Sequence, residues 1–143
     1  MISEQEKAAL FTEVHRAIEE AAASAAAAVR SQEVQLSYPP NAGFSPAEQR
    51  ALASFPAAPE AESALRKIIA DAASVPLFRL FCLFDAVGAP EDYEDVWLGL
   101  SLNTPDDDDE EPDTMLHDEF FDSYWKWRER RPDPGWKLDT YQG

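Results

Sequence analysis

Hydrophobic positions early in the chain recur at the spacing of a helix. Phe11, Val14, Ile18, Ala21 or Ala22, Ala25 and Val29 define one narrow stripe, as an amphipathic helix requires. Ser3 with Glu6 three positions on has the form of a capping box, so a helix is expected near residues 3–31. Its second half, Ala21 to Ala28, has almost no side chain to bury. Either another backbone approaches closely there, or the helix persists because alanine is the strongest helix former. Pairing with the same helix of a second chain is a third arrangement.

The period then shortens. Glu33-Val-Gln-Leu-Ser-Tyr38 alternates polar and apolar, which predicts a short half-exposed strand near 34–38. After Pro39, Pro40 and Gly43, Ser45 with Pro46 and Glu48 opens a helix near 46–55. Pro56 and Pro59 separate it from a helix near 60–73, with Ala61, Leu65, Ile68, Ile69 and Ala72 expected to face inward. The run Leu77 to Phe84 is apolar at both parities, as in a strand buried on both faces. Ser74, Pro76 and Gly88 would also frame a short helix there; the strand reading, near 77–86, is the one adopted. Val96, Leu98, Leu100 and Leu102 share a parity opposite to Trp97, and Gly99 disfavours a helix, so a second strand near 95–102 would complete a hairpin. A last helix near 114–131, capped by Asp113 or Thr114, carries Leu116, Phe120, Tyr124 and Trp127 on one face. Trp136, Leu138 and Tyr141 in the tail are expected to dock back. The fold class predicted is α+β: a small antiparallel sheet packed with about four helices.

At 143 residues the chain fits a single globular domain, 1–143, able to bury a core without staples. Its single cysteine, Cys82, excludes an intrachain disulfide and reads as a small buried hydrophobe. The start is acidic, unlike a signal peptide, and no apolar run reaches the roughly 20 residues of a membrane helix. A cytoplasmic protein is the expectation.

Charge adds the most to this picture. The formal net charge is -16, and no Lys or Arg occurs between Arg79 and Lys126. Within that interval lie Glu91, Asp92, Glu94 and Asp95, then Asp106, Asp107, Asp108, Asp109, Glu110 and Glu111 in an acidic loop at 104–113. Such a loop can bury nothing and is either mobile or a locally ordered binding segment. The field repels nucleic acid and anionic membranes and steers a basic protein partner toward it.

Candidate chemistry is sparse. The acidic loop has oxygen ligands suited to calcium but not the glycine and terminal glutamate of an EF-hand. His15, expected on a polar face of the first helix, and His117 do not form H-E-x-x-H. Asp85, directly after Phe84, could have a raised pKa if desolvated, or could mark a strand end by accepting from turn amides. There is no G-x-S-x-G and no phosphate-cradling loop. Tyr124, Trp125, Trp127 and Trp136 beside Arg128, Arg130 and Arg131 could anchor an interface or pack internally. No catalytic residue, metal ligand or cofactor is assigned.

These features predict a non-catalytic acidic module whose surface at Glu91 to Asp95 and Asp106 to Glu111 engages a basic protein, as monomer or homodimer. In size, charge and expected architecture it resembles the small acidic immunity proteins with which bacteria neutralise secreted toxins. The alternative is a metal-binding or hydrolytic domain using the loop carboxylates and His117.

Overall fold

The structure, a computed structural model, describes residues 2–39, 42–100, 102, 115–136 and 139. It contains four helices: α1 (Glu4–Ser31), α2 (Pro46–Ala53), α3 (Pro59–Phe84) and α4 (Leu116–Arg130). Among the described residues there is no strand. The predicted α+β fold with an antiparallel sheet is therefore overturned: every regular element among the described residues is a helix. None of these helices is long and apolar enough to cross a membrane. The predicted acidic loop at 104–113 lies outside the described residues, as do Leu138 and Tyr141.

Each misplaced strand has a physical reason. Residues 77–84 of the predicted strand at 77–86 continue α3, a helix of 26 residues that passes through Pro76, and 85–86 form the turn that ends it. An interior proline removes one backbone hydrogen bond and costs about 3 kcal/mol. Burial of Phe81 against Phe11 and Phe120, at ring separations of 5.6 and 5.1 Å, offsets that cost. With 77–84 helical, the segment 95–102 has no ladder to join. Its described part runs instead as irregular backbone across the end of α3. Residues 34–38 are likewise irregular, with Leu36 and Tyr38 exposed, because period-two alternation forms a strand only where a second one can pair.

The helix signals read better. Ser45 forms the expected capping box: its Oγ accepts from the Glu48 amide at 3.2 Å, and its own amide donates to Glu48 Oε2 at 2.7 Å. Ser3 and Glu6 make the same exchange, and hydrogen bonds donated by the Ser3 hydroxyl and then by its amide hold the Glu6 carboxyl below its ordinary pKa. Both long helices stop without glycine. Gln32 (φ 61) ends α1 and Ala86 (φ 55) ends α3. In each, the left-handed residue and its successor donate back into the last turn: Gln32 to Val29 O and Glu33 to Ala28 O, Ala86 to Leu83 O and Val87 to Cys82 O. This is the Schellman arrangement.

The backbone groups into two compact units, Met1–Ala17 with Ser74–Gly143, and Ile18–Ala73. In the first, Lys7 meets Glu119, Phe11 meets Phe120, His15 meets Ser123 and Arg16 meets Trp127. Both sets of numbers rise together, so α1 and α4 run parallel. Phe11 near the start of α1 touches Phe81 near the end of α3, which makes that pair antiparallel. Phe11, Phe81, Leu116, Phe120 and Trp127 form this core. The second unit is built from small side chains. Ile18, Ala22, Ala26 and Ala70 are buried, and Arg30 reaches Glu62 at 2.5 Å, so the end of α1 lies beside the start of α3. Ala22 and Ala26 are one turn apart, and their burial means a close backbone approach along the alanine run. The helix α2 has no buried residue.

Candidate functional site

The predicted partner-binding residues that are described, Glu91, Asp92, Glu94 and Asp95, occupy one short loop after α3, and all are exposed. Asp106, Asp107, Asp108, Asp109, Glu110 and Glu111 lie outside the described residues. The loop is fastened to the end of α3. A helix leaves its last carbonyls without partners inside the helix, and here the loop supplies donors. Trp97 Nε1 donates to Leu83 O at 3.1 Å, and the Leu100 amide donates to Phe84 O at 3.2 Å. Between them Gly99 has φ +84, and a Cβ on it would lie 2.8 Å from the Ala86 Cβ and 3.1 Å from Phe84 O. Only glycine accommodates both that backbone angle and that approach. Upstream, the Val96 and Trp97 amides both donate to Tyr93 O at 3.1 Å, closing the acidic turn on itself.

Turning Trp97 and Gly99 inward leaves their neighbours outward. Val96, Leu98 and Leu100 are 70%, 92% and 53% exposed, and Tyr93 is 62% exposed. The candidate surface is thus acidic and apolar together. Sequence reasoning misses the apolar half, because alternation of this kind points first to a sheet. The signal is nonetheless present, since Val96, Leu98 and Leu100 share one parity and Trp97 and Gly99 the other.

Asp85 and His117 come together, although far apart in sequence. One carboxylate oxygen, Asp85 Oδ2, accepts from the His117 amide at 2.8 Å and from His117 Nδ1 at 2.6 Å. The residue before α4, Met115, makes no side-chain cap bond, so Asp85 satisfies an orphan amide of α4 from another element. The expected caps, Asp113 and Thr114, lie outside the described residues. The other ring nitrogen, Nε2, faces Asp118 Oδ1 at 3.2 Å. Both nitrogens of His117 are therefore directed at carboxylates, which orients the ring and anchors the start of α4. Among the described residues no group of three His, Cys, Asp or Glu side chains is placed to hold a metal ion.

Contrary to the polar face expected for it, His15 is buried at 7% exposure, stacked on Phe120 at 5.2 Å. The Ser123 hydroxyl donates to Phe120 O at 2.6 Å. With its only hydrogen so used, Ser123 Oγ accepts from His15 Nε2 at 2.7 Å. Burial pushes the His15 pKa down to about 4, opposed by the Phe120 backbone and assisted by the charge of Arg131. The pair is a packed hydrogen bond whose serine proton is already committed, not an activated nucleophile. Two turns earlier Lys7, 2% exposed, extends Nζ to Glu4 at 2.6 Å and Glu119 at 2.9 Å. Burial is the largest influence on its pKa and lowers it, but the bonds to the two carboxylates together outweigh it and the net shift is upward.

The aromatic and arginine-rich end of α4 divides, with Trp125 and Arg130 exposed and Trp127 and Arg131 buried. Arg131 donates to Trp136 O at 2.6 Å and lies over the rings of Tyr124 and Trp136, while Arg128 reaches Asp139 at 3.1 Å. The described part of the tail thus docks on α4.

No family model, curated protein or solved structure matches this chain.

Proposed function

We propose that this protein is a non-catalytic acidic binding module that engages a basic protein partner through the loop after α3. One observation carries the reading: Glu91, Asp92, Glu94 and Asp95 are exposed within five consecutive positions, and none of them takes part in an ion pair among the described residues. Elsewhere, Lys7, Arg16 and Arg128 are engaged with other carboxylates. Exposed charge of one sign, without an ion pair among the described residues, on a fastened loop favours rapid capture of an opposite surface over catalysis. In kind, that is the task of an inhibitor or immunity-like protein, and a cytoplasmic site of action belongs to the same reading.

The test is capture at two ionic strengths. A basic protein retained at low salt should be released as the screening length contracts from about 10 Å at 0.1 M to about 3 Å at 1 M. It should also be lost from a variant carrying Glu91→Gln, Asp92→Asn, Glu94→Gln and Asp95→Asn. Retention indifferent to both changes would remove the proposal.

A further inference from the structure

We propose that the ridge of Val96, Leu98 and Leu100 is the apolar anchor of this binding surface. Its partner is a basic protein segment with an apolar face, whose lysines or arginines reach the acidic turn beside the ridge. The inference rests on the reading of the loop as a binding surface and goes beyond charge to say what sets affinity.

Three observations carry it. The ridge is held in place: the Trp97 indole and the Leu100 amide bond the end of α3, and Gly99 lets the backbone come within contact of Ala86. It also has apolar area to bury on contact, because three aliphatic side chains within five positions are exposed, Leu98 by 92%. A single exposed leucine is ordinary, whereas three exposed aliphatic side chains within five positions of a fastened segment, next to an acidic turn, offer more apolar area than a surface ordinarily leaves in one short stretch. Finally, the rim has one sign. Glu91, Asp92, Glu94 and Asp95 precede the ridge directly, which selects a cationic partner and disfavours three other occupants. A second copy would bring the same acidic turn against itself, while an anionic membrane or a nucleic acid would be repelled. Trp97 and Gly99 are positioning residues, since they present the ridge without belonging to its outer face.

The experiment uses the full chain and two synthetic peptides of equal length and charge, one an amphipathic leucine/lysine sequence and the other glycine/lysine. Association and dissociation rates are measured at low and high salt. The leucine/lysine peptide should bind about tenfold tighter, the effect of burying roughly one aliphatic side chain, with the difference residing in dissociation. Leu98→Ser should remove that preference while leaving glycine/lysine binding and the thermal midpoint unchanged. Trp97→Phe, which removes the donor to Leu83 together with part of the ring, should reduce the preference in part. The Glu91→Gln, Asp92→Asn, Glu94→Gln, Asp95→Asn variant should slow association of both peptides alike. Equal binding of the two peptides, a preference that survives Leu98→Ser, or self-association abolished by Leu98→Ser would each overturn the anchor. Failure of the four-residue variant to weaken the glycine/lysine peptide, or failure of either peptide to bind, would overturn the acidic module itself.

Discussion

The two units solve the same problem, bringing α1 beside α3, with opposite materials. In the unit of Met1–Ala17 with Ser74–Gly143, large rings fill the space: Phe11, Phe81 and Phe120 meet at 5.1 to 6.0 Å. In the unit of Ile18–Ala73, Ala22, Ala26 and Ala70 are buried, and the backbones themselves do the filling. The difference teaches that each core is vulnerable to a different kind of change. An aromatic core fails when volume is removed, and an alanine seam fails when volume is added.

The largest effect is expected from Phe120→Ala. Phe120 is fully buried and touches Phe11, Phe81, Phe121 and His15, so truncation should cost about 3–5 kcal/mol in denaturant unfolding. Its counterpart in the other unit, Ala22→Leu, should cost about 1–3 kcal/mol by overpacking in the same measurement. Ala22 is 0% exposed and Ala26, one turn on, is 1% exposed, so the seam has no open side into which a leucine could turn. A neutral Ala22→Leu would show that the backbones there are not in close approach.

Acid should distinguish the units as well. The His15 pKa is lowered in the folded state to about 4 from an ordinary value of about 6.5. The unfolded chain therefore binds the proton more readily, and stability slopes upward with pH in that window. The contribution is complete above pH ~6.5 and is lost as pH falls from ~6.5 toward ~4, amounting to about 3 kcal/mol. The measurement is the difference in unfolding free energy between wild type and His15→Leu across pH, which should shift through that window because the variant lacks the titration. An unchanged difference would mean that His15 is not held neutral by its surroundings.

The smallest effects belong to the helix ends, where the units are alike. Ala86 and Gln32 each take a positive φ that glycine adopts without cost. Ala86→Gly and Gln32→Gly should each stabilise by about 0.5–1 kcal/mol, less the added entropy of the unfolded chain. Gln32→Gly should gain less, because Gln32 Nε2 also donates to Ala53 O at 3.2 Å. Thermal midpoints of the two variants would rank them.

Local chemistry was legible where its partners are local. The capping boxes of Ser3 and Ser45 involve residues three apart, and the helices near 3–31 and 46–55 follow from them and from helical spacing. The exposure of Glu91 to Asp95 was likewise readable, since four carboxylates in five positions cannot all be buried. The run 77–86 was not legible, because an apolar segment fits a buried strand or a buried helix equally well. The choice was made by Phe11 and Phe120, which lie 70 positions before and 39 after Phe81. The same holds for Asp85, whose role as the cap of α4 depends on His117 arriving from another element. Sequence alone therefore determined where the helices with local capping boxes begin and where charge gathers. Tertiary structure decided that the alternating 96–100 segment presents its aliphatic side chains outward and that His15 is buried. Those outcomes depend on which distant surface each segment meets, and spacing along a chain carries no record of that.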